Sequence, residues 1–253
     1  MHCFYTEKEN INGNQVQIVG SDVNHIRNVL RMEVGEDLIV CDGEGMFHHC
    51  TIKELLKDKV EADIIESKEA ETELKVKITL FQGLPKKDKM ELIIQKAVEL
   101  GVQEIVPVST RFCVAKIEDA KKEKKKLERW QEIARAAAKQ SGRGIIPQIK
   151  PVLSFKQALK EASCMDKSVI PYEKAEGMKV ASEEIQKMAT CQSVGIFIGP
   201  EGGFAEEEIE LAKEMGITPI SLGKRILRTE TAGLCILSVL MFEIEKESEL
   251  VVK

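Results

Sequence analysis

The first 70 residues are organised in short runs that alternate between apolar and polar positions. Residues 37–41 and 46–52 show the period of two that is typical of half-buried strands. The turn-forming residues 42–45, Asp-Gly-Glu-Gly, separate the two runs. The pattern therefore predicts a β-hairpin.

Ahead of this hairpin the apolar spacing changes to that of a helix. Ser21 is placed to act as an N-cap, and Ile26, Val29 and Leu30 would then share one face of a short helix. Together with the hairpin, this helix indicates a small β-barrel domain.

A polar, highly charged segment at residues 66–73 has no apolar periodicity, so we predict domains at 1–72 and 73–253. The second domain alternates apolar runs with amphipathic patterns. Its predicted strands are 76–81, 105–108, 168–171, 194–198 and 219–222. Its predicted helices are 89–100, 119–141, 155–162, 182–189 and a last one from Thr229. Such alternation is typical of an α/β fold with a mainly parallel sheet.

The charges are distributed unevenly along the chain. Basic residues outnumber acidic ones by 18 to 9 in residues 75–150, whereas acidic residues dominate by 16 to 7 in residues 1–74 and by 17 to 12 in residues 151–253. A basic middle segment indicates a polyanionic partner, because phosphate neutralisation requires clustered cations. A solvated helix face at Lys121–Lys126 is the alternative explanation.

The composition restricts the class of protein. The 253 residues, 43% hydrophobic and 31% charged, suffice for one or two domains with a real core. No apolar stretch approaches the ~18 residues of a membrane-spanning helix, and the N-terminus lacks a secretory signal pattern, so we expect a cytoplasmic protein. The seven cysteines contain no C-x-x-C pair and should be free thiols. All four histidines lie within the first 49 positions, so an imidazole base is excluded from the second domain.

Four side chains of the hairpin, Cys41, His48, His49 and Cys50, are of metal-ligating types. Neighbouring residues on a strand point to opposite faces, so these side chains cannot all converge on one ion. We therefore expect no metal site.

The predicted strand 194–198 leads into a glycine-rich loop, 199–204, and then into a helix that begins with three glutamates. Such a loop at the carboxyl edge of a parallel sheet is a common ligand site. Glu201 and the three glutamates would repel a phosphate, so the loop favours a neutral or positively charged ligand held through backbone groups. A tight turn that needs glycine only for its dihedral angles is the alternative.

A second loop, 223–228, follows the predicted strand 219–222 and precedes the last helix. Its Arg228 adds positive charge at a helix N-terminus, where a cation does not stabilise the helix. Arg228 is therefore expected to bind an anion or a polar substrate. A surface ion pair with Glu230 or Glu201 is the alternative.

The two loops together resemble the signature of a known enzyme family. Residues 198–204 (Ile-Gly-Pro-Glu-Gly-Gly-Phe) and 222–232 (Leu-Gly-Lys-Arg-Ile-Leu-Arg-Thr-Glu-Thr-Ala) look like those of the bacterial 16S rRNA uracil-N3 methyltransferases of the SPOUT class. Other segments are similar to that family in order and spacing, so the resemblance spans essentially the whole chain. These segments are 25–26, 29–31, 42–43, 95–102, 109–111 and 138–143.

The resemblance implies a fold, a reaction and partners. The fold would be a small PUA-like, RNA-binding β-barrel followed by a SPOUT-type α/β domain with a parallel sheet and a deep trefoil knot. The enzyme would be a homodimer that uses S-adenosylmethionine. Its substrate would be N3 of a specific uridine in 16S rRNA within the small ribosomal subunit.

The resemblance also implies roles for individual residues. Arg228 would lie nearest the reacting base. The residue types themselves add that a cation there would stabilise the charge left when N3 of uracil loses its proton, and that Glu230 or solvent would accept the proton because no histidine lies nearby. The S-adenosylmethionine pocket would be lined by Ile198, Gly199, Glu201, Gly202, Gly203, Leu222, Gly223, Ile226, Leu227 and Ala232. The distribution of basic residues, and not the resemblance, indicates the RNA contacts, which would be Arg27, Arg31, Lys86, Lys87, Arg111, Lys139 and Arg143.

Two positions depart from the expected pattern. Cys3 stands where the family usually carries an arginine, and Ala205 stands where a Ser or Thr cap would stabilise the following helix. Two other functions stay open. One is a SPOUT methyltransferase that modifies another RNA site or atom, and the other is a non-catalytic RNA-binding factor for ribosome assembly.

Overall fold

A computed structural model describes residues 1–114, 119–175 and 177–251. It divides the chain into two compact units. Unit 1 combines Met1–Glu73 with Ala138–Ile146, and unit 2 combines Leu74–Ala137 with the chain from Pro147 onward. The hydrophobic pattern does not predict that residues 138–146 belong to unit 1, because this segment begins within the long helix predicted at 119–141.

Unit 1 is built on a six-stranded sheet in the order β1-β4-β5-β6-β3-β2. The strands are β1 (Cys3–Tyr5), β2 (Ile11–Asn12), β3 (Gln15–Val19), β4 (Asp37–Cys41), β5 (Met46–Leu55) and β6 (Lys59–Glu69). The pair β1 and β4 is parallel and the other neighbours are antiparallel. The predicted hairpin is confirmed as β4 and β5, and the positive φ angles of Gly43 (72°) and Gly45 (114°) explain why glycine occupies its turn. Ile18, Leu38 and Val60 lie in the core of the unit.

The helix of unit 1 differs from its prediction. It begins as α1 (Ser21–Asn24) and continues as a π-helical segment, His25–Leu30. Gly20 precedes it as the cap residue, so the prediction of Ser21 as the N-cap was wrong. Val29 is 64% exposed whereas Ile26 is buried, so the predicted shared face was also wrong. The wider π turn changes the angle between successive side chains, and a period of 3.6 therefore misplaces Val29.

Unit 2 contains a seven-stranded sheet with the order β10-β8-β7-β12-β11-β13, in which β9 also pairs with β8. The strands are β7 (Lys77–Gly83), β8 (Glu104–Ser109), β9 (Gln148–Ile149), β10 (Leu153–Ser154), β11 (Lys167–Pro171), β12 (Ser193–Ile198) and β13 (Thr218–Ile220). All of these pairs are parallel, which confirms the predicted parallel sheet. The carboxyl ends of the strands therefore lie at one edge.

The helices that connect these strands begin and end close to the predicted positions. They are α2 (Lys89–Glu99), α3 (Ala120–Ser141), α4 (Phe155–Ala162), α5 (Met178–Met188), α6 (Glu206–Glu214) and α7 (Thr229–Val251). The start of α5 was wrong, since the helix begins at Met178 and not at 182. None of the helices in the described ranges carries an apolar run long enough to cross a lipid bilayer.

Aromatic side chains pack on the centre of the sheet in unit 2. Phe81 of β7 and Phe197 of β12 are stacked with ring centroids 4.5 Å apart, and Phe155 meets Phe197 edge-on at 5.9 Å. Residues at the carboxyl ends of these two strands are also paired, with Gln82 opposite Ile198. The loops that follow β7 and β12 therefore begin side by side.

Candidate functional site

Three chain segments meet at the carboxyl edge of the sheet in unit 2. Thr229, the first residue of α7, donates a hydrogen bond from Oγ1 to the carbonyl oxygen of Gly199 at 2.6 Å. Gln82, near the end of β7, donates from Nε2 to Thr229 Oγ1 at 2.9 Å. These bonds join the end of β7, the loop that follows β12 and the start of α7. The predicted loops 199–204 and 223–228 are thus anchored at one edge of the sheet.

Glycines at the end of β7 and in the first loop allow backbone segments to approach closely. A Cβ atom on Gly83 would lie 2.7 Å from the backbone nitrogen of Pro200, and one on Gly202 would lie 2.8 Å from Cβ of Phe112. Gly203 has a φ angle of 68°, which favours glycine. Close packing as well as turn geometry therefore accounts for this glycine-rich loop.

The acidic groups of the site share one lysine. Lys89 Nζ lies 3.1 Å from Glu201 Oε1 and 3.2 Å from Glu230 Oε2. The backbone N–H of Lys86 also donates to both carboxylate oxygens of Glu201 at 3.2 Å. Burial by itself raises the pKa of Glu201, but hydrogen bonds from its own backbone N–H, from Lys89 and from Lys86 outweigh burial and hold that pKa below its ordinary value. The hydrogen bond to Glu201 is the main reason that the pKa of Lys89 is raised.

The side chain of Arg228 is exposed and forms no hydrogen bond or ion pair with any residue in the described ranges. The alternative of a surface pair with Glu201 or Glu230 is not what the structure shows, because Lys89 pairs with both carboxylates. The carbonyl of Arg228 accepts the N–H of Ala232 at 2.8 Å and so begins the first turn of α7. The guanidinium is therefore available to a bound ligand.

The second loop is less tightly packed than the first. Gly223 has a φ angle of 108°, and its missing Cβ would lie 3.9 Å from Sδ of Met178 on α5. Leu222 and Leu227 are half-buried, whereas Ile226 is 86% exposed. The described part of the chain therefore does not bury Ile226, one of the predicted pocket residues.

The carboxylate of Glu208 stabilises the start of α6 through hydrogen bonds. Its carboxylate accepts the backbone N–H of Ala205 at 2.9 Å and that of Arg111 at 2.9 Å. Ala205 is the N-cap residue and has no side-chain cap, so Glu208 supplies one half of a capping box from inside the helix. Arg111 Nη1 also lies 2.9 Å from Glu207. The turn that carries Arg111 is therefore held next to the glycine-rich loop.

The predicted RNA contacts of unit 2 are Lys86, Lys87 and Arg111, and all three are exposed. Lys86 and Lys87 lie between β7 and α2, where the positive φ angle of Lys87 (56°) turns the chain towards the helix. Arg111 is exposed despite its ion pair with Glu207. All three cations are accessible from solvent.

Two of the predicted RNA contacts of unit 1 have intramolecular partners. Arg27 Nη1 donates to the carbonyl of Leu56 at 2.9 Å, and Lys139 Nζ lies 3.1 Å from Asp22 Oδ2. Arg31 is exposed and ends the π-helical segment with a φ angle of 54°. Arg31 and Lys139 are thus both exposed, whereas Arg27 is half-buried.

Arg143 is not placed for the predicted RNA contact. Its side chain is 4% exposed, and its Nη2 lies 2.5 Å from Oε2 of Glu73. Glu73 also accepts the N–H of Ile145 at 3.1 Å, and the Tyr5 hydroxyl donates to the carbonyl of Arg143. These bonds hold residues 138–146 within unit 1. The RNA role predicted for Arg143 is therefore replaced by a structural one.

Three contributors to the site were not predicted as site residues. Gln82 directly follows the predicted apolar strand 76–81, and a polar residue at the carboxyl end of a strand is a signal that the sequence contains. The structure shows that its amide is buried. Lys89 has no distinguishing signal among the lysines of the basic middle segment. Thr229 was predicted only as the start of the last helix, since its two partners are remote in sequence.

The hairpin side chains of metal-ligating type have other partners. His48 Nδ1 lies 2.8 Å from Ser67 Oγ, and His49 Nε2 lies 3.3 Å from Asp37 Oδ2. Burial raises the pKa of the Cys50 thiol to about 12. Within residues 1–114, 119–175 and 177–251, no group of three or more His, Cys, Asp or Glu side chains is arranged to hold a metal ion.

Family models match both parts of the chain. A model described as an RNA methyltransferase domain matches residues 72–241, and one described as an RNA methyltransferase PUA domain matches residues 18–65. The second match supports the predicted PUA-like character of the N-terminal part.

Relatives of known name cover nearly the whole chain. The ribosomal RNA small subunit methyltransferase E of Bacillus subtilis is 40% identical over 231 residues, which are 90% of this chain and 90% of that protein. The protein of the same name from Aquifex aeolicus is 33% identical and covers 95% of this chain and 99% of its own length. The crystal structure of the Neisseria gonorrhoeae protein of that name, bound to S-adenosyl methionine, is 32% identical, with a TM-score of 0.80 over 96% of this chain and 97% of that one.

Proposed function

The chain belongs to the ribosomal RNA small subunit methyltransferase E family, and from this premise we propose that it transfers a methyl group from S-adenosylmethionine to small-subunit rRNA. The observation that carries the proposal is the unpaired, exposed Arg228 at the start of α7, where Thr229 is bonded to the glycine-rich loop. A methyl donor beside this loop and a base beside Arg228 would meet at one sheet edge. Holding two reactants in this way contributes up to ~7–11 kcal/mol to a transfer reaction.

The residues of the site fit S-adenosylmethionine better than a nucleotide phosphate. The donor carries a positive sulfonium, and Glu201 and Glu230 together outweigh the single charge of Lys89. The proposed pocket combines the backbone of 198–203 with the second loop. Its residues are Ile198, Gly199, Glu201, Gly202, Gly203, Leu222, Gly223, Ile226, Leu227 and Ala232.

The proposed target atom is N3 of a uridine in 16S rRNA. When bound, the cofactor supplies an electrophilic methyl group. Arg228 would stabilise the negative charge that spreads to the carbonyl oxygens of uracil as N3 gives up its proton. Lys89 already lies 3.2 Å from Oε2 of Glu230, so of the two proton acceptors, Glu230 and solvent, we favour solvent.

The proposed RNA surface is smaller than the sequence indicates. Lys86, Lys87 and Arg111 in unit 2 and Arg31 in unit 1 are exposed and would contact phosphates. Arg27 and Lys139 would first exchange an intramolecular partner for RNA. We propose that the small ribosomal subunit presents the uridine, because recognition of folded rRNA depends on shape and backbone contacts.

We also propose that two chains associate through unit 2. Val239 and Phe242 on α7 and Leu92 on α2 are exposed by 45%, 65% and 45%, and these two helices pack on each other. Burial of such a stripe against a second copy would remove apolar surface from water.

The finer points of the fold and location are part of the proposal. The chain of unit 2 would form the deep trefoil knot that the resemblance implies. The domain boundary would lie at 72/73. An enzyme that modifies rRNA would work in the cytoplasm of a bacterium, where ribosomes are assembled, and the reaction would need no metal.

Binding of the methyl donor is the first test of this function. We expect saturating S-adenosylmethionine, at about 100 times its Kd, to stabilise the protein by about 2.7 kcal/mol, which thermal unfolding detects as a higher Tm. ATP at the same concentration should give a much smaller shift, because its phosphates would lie against the carboxylates of Glu201 and Glu230. Equal shifts with both ligands, or none with S-adenosylmethionine, would favour the non-catalytic RNA-binding factor.

A further inference from the structure

A chain of hydrogen bonds behind the proposed site has a fixed direction. Gln82 Nε2 donates to the carbonyl of Gly83 at 2.9 Å and to Thr229 Oγ1 at 2.9 Å. Thr229 Oγ1 uses its only hydrogen for the carbonyl of Gly199 at 2.6 Å. Reversing the amide of Gln82 would turn Oε1 towards the Gly83 carbonyl and place two acceptors together. The bonds therefore run from Gln82 through Thr229 to Gly199.

This arrangement leaves one acceptor, Oε1 of Gln82, without a hydrogen-bond donor among the described residues. Gln82 is 0% exposed, and its Oε1 has no hydrogen-bond partner in the described part of the chain. An unpartnered buried oxygen is destabilising, and an apolar side chain of similar length would avoid that cost. An apolar residue would avoid this cost but would leave Thr229 Oγ1 and the Gly83 carbonyl without the donor that Gln82 supplies, so the value of a glutamine at this position lies in the bonds that it donates.

We propose that Gln82 and Thr229 are positioning residues that align the methyl-donor loop with Arg228. Thr229 directly follows Arg228 in the chain and at the same time fixes Gly199, the first residue of the glycine-rich loop. One hydroxyl group thus determines the distance between the proposed donor pocket and the proposed cation. Gln82 restrains this hydroxyl from the neighbouring strand. The inference rests on the proposed function for its catalytic consequence, but not for the alignment itself.

The alignment is tested with Thr229→Val, which keeps the shape of the side chain and removes the hydroxyl. We expect Kd for S-adenosylmethionine to rise about tenfold, and kcat at saturating donor to fall about tenfold, because the hydroxyl takes part in two buried hydrogen bonds and its loss deprives both the Gly199 carbonyl and the Gln82 N–H of a partner. Thr229→Ser should restore both values to within about twofold, since it returns the hydroxyl. Isothermal titration calorimetry and methyl-transfer kinetics measure the two quantities.

Two further variants separate positioning from stability. Gln82→Met removes the unpartnered Oε1 together with both donor bonds, so Tm should change little, while Kd rises as in Thr229→Val. Thr79→Val is the matched control. Thr79 is a buried threonine, as Thr229 is, but it lies on β7 outside the site, and its hydroxyl donates a 3.4 Å hydrogen bond to Glu104. Thr79→Val should leave Kd and kcat unchanged. Wild-type values for Thr229→Val, or equal losses in Thr79→Val, would overturn the proposal.

Hydrogen exchange of the unliganded protein provides a readout that does not depend on methyl transfer. Thr229→Val should speed exchange of the backbone amides in residues 198–204, whereas Thr79→Val should not. If the wild-type protein fails to bind S-adenosylmethionine, the proposed function fails, and faster exchange in Thr229→Val would still support the alignment. Unchanged exchange at 198–204 would overturn it.

Discussion

Replacing Arg228 with alanine is expected to lower the rate of methyl transfer by about 10²–10³-fold while the affinity for S-adenosylmethionine stays close to that of the wild type. The guanidinium is exposed and has no partner among the described residues, so its removal leaves no buried charge behind. The backbone of Arg228 still accepts the N–H of Ala232, so α7 should still begin at its present position. Single-turnover transfer from labelled S-adenosylmethionine to small subunits measures the rate, and calorimetry measures the affinity.

The matched control for this prediction is Arg225→Ala. Arg225 is an exposed arginine in the same loop, so its removal changes the net charge by the same amount. General attraction of RNA would be weakened equally in both variants, and only Arg228→Ala should slow the chemical step by about 10²–10³-fold. Similar rates in the two variants would show that Arg228 acts only as one of several RNA-attracting charges.

Replacing Glu73 with alanine is expected to destabilise unit 1 by about 3–5 kcal/mol, because the buried guanidinium of Arg143 loses its carboxylate. The side chains of Glu73 and Arg143 are 11% and 4% exposed and lie 2.5 Å apart. The N–H of Ile145 would lose its acceptor in the same variant. Hydrogen exchange of the core amides in β4 and β5 reports on unit 1 specifically.

Glu44→Ala is the control for that measurement. Glu44 also forms an ion pair within unit 1, with Lys8 at 2.6 Å, but both side chains are more than half exposed. Exposed pairs of this kind contribute about 0–1 kcal/mol. A loss in Glu73→Ala no larger than that in Glu44→Ala would contradict the structural role assigned to Arg143.

Much of the fold could be predicted because its signals are local. The hairpin at 37–52, the parallel strands of unit 2 and the start of α7 at Thr229 follow from apolar period and from turn residues. The π-helical segment at 25–30 could not be predicted, because the sequence does not mark where the turn widens. The inclusion of residues 138–146 in unit 1 was also beyond prediction, since it depends on Glu73, which lies 70 residues away from Arg143.

Part of the candidate site could be predicted because its sequence signals are also local. The glycine-rich loop and Arg228 are visible because glycine and a cation at a helix start conflict with local preferences. Lys89 pairs with two carboxylates that are distant in sequence, and nothing local distinguishes it from other lysines. Arg143 shows the opposite error. It lies in the basic segment and was predicted to contact RNA, but its ion pair with Glu73 is buried within unit 1.

The central claim is that the chain methylates N3 of a uridine in 16S rRNA. The most direct test is incubation of the purified protein with methyl-labelled S-adenosylmethionine and small subunits from a bacterium that lacks its own enzyme of this family. Mass spectrometry of the nucleosides then identifies the product. We predict labelled N3-methyluridine from 16S rRNA, formed about 10²–10³-fold more slowly when Arg228→Ala is used. Label in another nucleoside, or no label in the rRNA, would contradict the account.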